Sequence, residues 1–371
     1  MVVRRIGINP EVLQFHITNS RIPVEMIKSK ETNIELFLAG EKDPTFNQIS
    51  TIAKLIKVPT GLLLLNRIVE TEVNELKFRT MDSDVIDEFS PELRDSIKEM
   101  QVKQDFLREE IENELDFIGK FSVSDDYMEV VRAIRGYLNL PINFYEETQQ
   151  AEFAYLRERI NALGVFVFLN GKVKDNSHRP LDSNEFRGFV LSDNKAPIIF
   201  INQLDSKYGK KFTLLHELVH LFVDENEIFT LIETKDYHYS PVEYFVNKVT
   251  AEILVPKEEI MKIRELNVPN LSEKFKVSEF VIARRLYDFK FITKNEYEIL
   301  VKRLKSEWKR IKTVKKSRGG NYHNNLRFRT DKSFINYVEN AINDNRISYT
   351  EAFSILGVGY KGYKSLVGGI E

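Results

Sequence analysis

The sequence predicts an α+β fold: a small mixed sheet carrying one buried helix, with all-helical segments before and after it. Three observations lead there. First, GVFVF at 164–168, EFRGFVLSD at 185–193 and APIIFIN at 196–202 are apolar, β-branched and aromatic runs bounded by turn residues, the mark of short strands. Second, KKFTLLHELVHLFVDE at 210–225 is apolar around most of its circumference, as a buried helix is. Third, helical spacing dominates up to residue 160 and again downstream of Pro241. With 42% hydrophobic and 30% charged residues over 371 positions, a sizeable core is available and wholesale disorder is excluded.

Residues 1–66 read as short helices separated by polar turns, with Ile49, Ile52, Ala53, Leu55 and Ile56 at helical spacing and Leu62 to Leu65 following. Residues 82–118 read as an acidic amphipathic helical pair, with Pro91 at a helix start. Residues 126–160 continue helical, and LRERINALGVFVFLNG is a helix stopped at Gly164 and followed by a strand. At the C-terminus, ISYTEAFSILGVGYKGYKSLV starts a helix at Ser348 or Thr350, stops it at Gly357 and begins another. That tail either contacts nucleic acid or packs back on the preceding segment, and its Tyr and Phe residues favour packing or protein recognition. The division expected is 1–70, an all-α start; 71–150, an acidic helical connector; 151–300, the sheet-bearing core; and 301–371, a basic linker with a helical end.

No apolar run approaches the roughly 20 residues of a membrane span, so no membrane contact is expected. MVVRRIGINPEVLQ lacks the apolar stretch of a signal peptide, and a cytoplasmic location is expected. There is no cysteine, which excludes disulfides, thiolate metal sites and cysteine nucleophiles. The net charge of −2 is a cancellation. Asp82 to Asp116 holds thirteen acids against four bases, and Val301 to Gly320 holds nine bases against Glu307. The basic run is either a solvated helix face or a phosphate-facing surface, and the two opposite stretches are candidates to pair with each other.

Six histidines make their placement informative. His216, Glu217 and His220 form an H-E-x-x-H arrangement on the buried helix. Positions i and i+4 lie on one helix face, so both imidazoles can reach one ion, and Glu217 adjoins it as a candidate general base for water. Two imidazoles leave zinc one protein ligand short. The helix PVEYFVNKVTAEILVP offers Glu243, Asn247 and Glu252, with Glu252 turned about 90° from Glu243 at roughly 100° per residue. Glu243 reads equally as a ligand or as an acid favoured by the helix dipole just after Pro241. Tyr237, His238 and Tyr239 are candidates to stabilise an oxyanion, against an ordinary polar loop. His16, His178 and His323 have no partner at ligand spacing and read as surface residues.

Two resemblances rest on these residues. Gly40, Pro44–Thr45, IAKLIKVP and the following leucines resemble the second half of an XRE-type helix-turn-helix domain. Its groove-facing segment, KSKETNIELFLAGE, holds Glu31, Glu35 and Glu41, which would repel phosphate, so protein docking is as well supported as DNA contact. From about Ala151 to Arg285, FRGFVLSD, IIFIN, FTLLHELVHLF, E-x-x-x-N-x-x-x-x-E-I-L-V-P from Glu243 to Pro256 and SEKFKVSEFVIARRL resemble the ImmA/IrrE metallopeptidases, and NELKFRT at 74–80 is typical of members with an XRE domain. Val219, Val246 and the Val249–Thr250 pair depart from the usual family residues without touching the ligand positions.

The resemblance implies a zincin-like core with zinc on His216, His220 and Glu243, a gluzincin-like set, and Glu217 as general base. It implies cleavage or control of a cognate repressor or antitoxin, in a stress-response, mobile-element or toxin–antitoxin setting. The alternative is a DNA-binding regulator or toxin–antitoxin component in which the protease-like core is a sensor or scaffold, with DNA met through the N-terminal domain or the basic 301–329 stretch.

Overall fold

A computed structural model describes residues 5–20, 22–56, 58, 60–68, 89–147, 152–223, 230–232, 241–312 and 322–368. It is a mixed α and β structure, mostly helical. The chain forms two compact units, Met1–Arg94 and Asp95–Glu371.

The first unit is all helical among its described residues. Helices Pro10–Ser20, Val24–Lys28, Ile34–Leu38 and Phe46–Leu55 are followed by a 3-10 turn, Thr60–Leu64. Ile17, Ile27, Ile34, Phe37, Ile49 and Ile52 meet in its core. Thr45 starts the fourth helix with a reciprocal capping box to Gln48, which satisfies two otherwise open N–H groups. Two expectations fail here. His16 is buried beside the Phe15 ring rather than on the surface. Burial lowers its pKa, so the ring is held neutral. Glu31 is also buried and accepts from Asn33 and from Gln48, so only Glu35 and Glu41 of the three acids face outward.

The second unit is built on a four-stranded sheet of β1 (Phe166–Asn170), β2 (Phe186–Leu191), β3 (Ile198–Asn202) and β4 (Thr230–Ile232) in the order β1-β3-β2-β4. β1 and β3 are parallel, and the other pairs are antiparallel. Gly164, at a φ of 90°, ends helix Glu152–Ala162 and turns the chain into β1. Strand alternation sorts the side chains onto two buried faces. Val167, Leu169, Ile199 and Ile201 join one core with Leu214, Leu215 and Leu218 of helix Lys207–Phe222. Phe166, Phe168 and Phe200 face the other way, where Phe168 meets Phe334 edge-on with ring centroids 5.2 Å apart. Helices Pro91–Glu110 and Lys332–Asn343 cover that second face, through Phe106 and Phe334, and Gln104 bonds both Leu191 and Ala196 carbonyls.

Among the described residues the acidic segment is therefore one helix, not a pair. After Glu110 the helix ends, the chain turns at 116–119, and its Leu115, Gly119 and Phe121 N–H groups bond the carbonyls of Asn194, Leu221 and Phe222. Of the acids of that helix, Asp95 pairs with Arg179 and Glu110 with Arg346, while Glu99 and Asp105 pair with Lys103 and Arg108 of the helix itself, so none of these partners lies in the basic run. Residues 313–321 of that run lie outside the described residues, as does NELKFRT.

The C-terminal residues pack on the core. Ser348 caps helix Tyr349–Leu356 with Glu351 in a capping box, and Gly357 ends it at a φ of 71°. Asp331 caps helix Lys332–Asn343 through the Phe334 N–H, and its other carboxyl oxygen accepts from the Val167 N–H on the outer edge of β1. Arg157 donates to the Val167 carbonyl at 2.6 Å, and to the carbonyls of Phe328 and Thr330.

One residue sets how deep helix Lys207–Phe222 sits. A Cβ on Gly188 in β2 would come within 2.5 Å of the Thr213 methyl and 2.8 Å of the Phe200 carbonyl. Neither neighbour is the free end of a flexible chain, so helix and strand must part. Gly188→Ala is expected to cost about 1–3 kcal/mol in urea unfolding. An unchanged midpoint would show that the contact is not tight.

Candidate metal centre

His216, Glu217 and His220 lie in the second half of helix Lys207–Phe222, which is buried from Lys211 onward apart from Phe212. Ser206 starts it by accepting from the Gly209 N–H. Near the start of its buried stretch, Lys211 is itself buried and paired with Glu152 at 2.7 Å, donating also to the Phe275 carbonyl. The helix is thus pinned at its polar end as well as by its apolar faces.

Glu243 stands in the first turn of helix Pro241–Leu254. Proline suits a first helical position, where no N–H is needed. Val246, Val249 and Ile253 sit in the same core as Leu218 and Val219, so the two helices present their polar residues to each other. The far end of this helix is held by Arg285. Its guanidinium is buried, pairs with Glu252, donates twice to the Val255 carbonyl and lies 4.1 Å over the Phe289 ring. Glu252 therefore faces Arg285, away from the histidines. Asn247 stands one turn after Glu243 on the same helix.

The Nε2 atoms of His216 and His220 are 2.9 Å apart. Glu243 brings Oε2 to 3.3 Å from the first and Oε1 to 3.2 Å from the second. Donors held on one tetrahedral zinc at about 2.0–2.1 Å stand roughly 3.3 Å from one another, so the spacing fits. So does the chemistry. Two buried imidazoles turn Nε2 toward one carboxylate, and no more than one proton fits between the nitrogens. Burial lowers the pKa of His216, more than its bond to Glu243 raises it, so the ring is neutral and able to give a lone pair. Burial works against charge on Glu243, but hydrogen bonds from His216 and His220 outweigh it and hold the carboxyl well below the usual range. Two neutral nitrogens and one anionic oxygen make a donor set that a divalent cation would complete. Among the described residues this is the one group of three such side chains with ligand atoms within 4.8 Å.

Glu217 is fully buried beside His216 in the chain. Tyr237, His238 and Tyr239 lie outside the described residues, and so do the segments on either side of β4. His178 is exposed and distant from any such cluster. Sequence reasoning missed Gly188, Lys211, Glu152 and Arg285. A glycine inside a strand was the available signal for the first. For the others no local pattern exists, since each partner is remote in the chain.

Two outcomes are expected. Purified protein should carry about one zinc by mass spectrometry of metals, and Glu243→Ala should weaken zinc by more than the roughly 10–100-fold that loss of an outer partner costs. Arg285→Ala should cost about 3–5 kcal/mol in urea unfolding, because it strands the buried Glu252 carboxylate. A stability within 1 kcal/mol of wild type, taken as the ~1 kcal/mol ordinary for surface pairs, would contradict the buried pair.

Residues 160–287, about a third of the chain, match the family model described as Peptidase_M78, IrrE N-terminal-like domain. Neither the curated proteins nor the solved structures gave a match. The matched segment runs from the helix before β1 to helix Glu279–Asp288, and so takes in the sheet, both helices that carry the His and Glu donors, and Arg285. It is similar to a family of metallopeptidases whose members use a metal, usually zinc. The match supports a metallopeptidase-like protein of the ImmA/IrrE family.

Proposed function

We propose that this chain is a zinc-dependent endopeptidase acting on one partner protein, with the HExxH helix and Glu243 forming a gluzincin-like site in a zincin-like core. The carrying observation is the convergence of two Nε2 atoms and one carboxylate at tetrahedral spacing inside the segment that matches the peptidase family. His216, His220 and Glu243 hold the ion, which supplies Lewis acidity toward a peptide carbonyl and toward water. Glu217 takes the proton from the attacking water and delivers it to the leaving amine. Val219 and the neighbouring leucines keep bulk water from the inner side of the helix, which strengthens every charge interaction there.

An extended peptide bound by strand addition needs a sheet edge with open backbone groups. At β1 the Val167 N–H and carbonyl are already taken by Asp331 and Arg157, so the β4 side is the edge we assign to substrate. The partner we assign is a repressor or antitoxin-type DNA-binding regulator, in a stress-response, mobile-element or toxin–antitoxin setting. We read the first unit as an XRE-like helix-turn-helix unit turned to protein docking. Its helix Ile34–Leu38 exposes Glu35 and Leu36, and Met26 and Phe46 of the same unit are also more than half exposed. That composition favours a protein surface over phosphate. A cytoplasmic location accords with this role. Among the described residues no helix is long and apolar enough to cross a membrane.

The test is co-expression with the regulator encoded beside it. Wild type should cleave that protein at one bond. Glu217→Gln should keep its zinc and lose cleavage by about 10²–10⁴-fold. Equal cleavage by the variant would overturn the mechanism, and an uncut but stable complex with wild type would favour the scaffold reading.

A further inference from the structure

One open cleft lies away from the His/Glu cluster. It measures about 590 Å³ and is lined by the end of helix Tyr127–Tyr137, the turn that follows, and the outer face of helix Glu152–Ala162. It is broad and open to solvent, so a ligand would be held by the groups on its walls rather than by enclosure. Arg132, Arg135 and Arg159 all line it, and among the described residues no acidic side chain does.

The three arginines differ. Arg135 is structural: it donates to the carbonyls of Leu140, Pro141 and Ile253 and forms the floor. Arg159 lies over the Tyr155 ring at 5.1 Å, which orients its guanidinium without using its N–H donors. Arg132 is exposed and makes no hydrogen bond or ion pair to any described residue. In the last turn of helix Tyr127–Tyr137 the Gly136 and Arg135 carbonyls accept from the N–H groups of Asn139 and Leu140, which lessens their repulsion of an anion.

Gly136 adds an independent observation. It sits in the last turn of its helix, where glycine is unfavourable relative to alanine. An added Cβ would meet nothing within 4 Å, and its φ is not positive, so the fold itself does not require glycine. A bare backbone opening on a cationic cleft allows close approach of a ligand, the usual reason for glycine beside a bound group.

We propose that this cleft binds a phosphate-bearing small molecule of the nucleotide class. Arg132 and Arg159 grip the phosphate, Gly136 admits it close to the backbone, and the planar part lies along the exposed Ile142 side chain. Guanidinium forks match phosphate oxygens two at a time. The Arg135 bond to Ile253 ties the floor to the far end of the helix that carries Glu243, so the cleft and the metal centre share a helix but no residue.

Calorimetry on the full zinc-loaded chain, with ADP, inorganic phosphate and adenosine as probes, tests this. ADP should bind more tightly than phosphate, and adenosine should not register. Arg132→Ala and Arg159→Ala should each weaken ADP by about tenfold or more. Gly136→Leu should block ADP while leaving thermal unfolding at or above the wild-type midpoint. Zinc content should be unchanged in all three. The proposal is overturned if no phosphate-bearing probe binds, if sulfate at equal ionic strength competes as well as ADP, or if the variants bind ADP as wild type does. Failure of cleavage by the zinc site would leave each of these readouts intact.

Discussion

Helix Lys207–Phe222 must lie flat against β2 for the rest of the second unit to take its form. The clearance at Gly188 leaves no room for even a methyl group, and Thr213 and the Phe200 carbonyl define the floor from the two sides. Three residues beyond Thr213 comes His216, and one turn later His220. The depth of the helix in the sheet therefore sets where the two Nε2 atoms stand. Metal sites tolerate displacements of only about 0.2 Å in ligand distance. A strand residue with no side chain thus acts on a polar centre that it does not touch.

The other half of the centre is positioned from the opposite direction. Glu243 is near the start of its helix, and the helix is held at its end by Arg285 with Glu252 and the Val255 carbonyl. The same pattern recurs where Lys211 meets Glu152 and where Arg157 approaches Asp331 and the Val167 carbonyl. Each is a buried charge that bonds segments far apart in the chain, at or near an element end. Such groups add little net stability, because desolvation offsets most of the attraction. What they do is penalise every arrangement in which a partner is missing. Burial lowers the pKa of Lys211 against the pull of Glu152, and raises that of Asp331 against the pull of Arg157, which is how groups held by geometry behave.

Much of this was legible locally. Gly164, Pro241, Ser348 and Gly357 each mark the boundary that the structure shows, because capping and turn chemistry act over a few residues. The strands were legible from apolar runs, and the H-E-x-x-H spacing from helix geometry. The misreadings share a cause. His16 and Glu31 look like surface residues until packing supplies the Phe15 ring, Asn33 and Gln48. Residues 111–121 keep helical composition, yet their backbone finds better partners in Asn194, Leu221 and Phe222. Spacing alone turned Glu252 away from Glu243, but it could not name the partner that holds Glu252, because Arg285 lies 33 positions away.

The closure of the β1 edge bears on how this architecture can be divided. Asp331 and Arg157 occupy backbone groups that a strand edge would otherwise offer to any passing chain. Phe334 covers the aromatic face behind them. A chain ended before Asp331 would keep every residue of the His/Glu cluster but lose the acceptor of the Val167 N–H and the Phe334 ring that covers Phe168. The residues from Asp331 onward thus close part of one sheet edge and one sheet face without contributing to the His/Glu cluster, which is the way a chain limits edge-to-edge pairing.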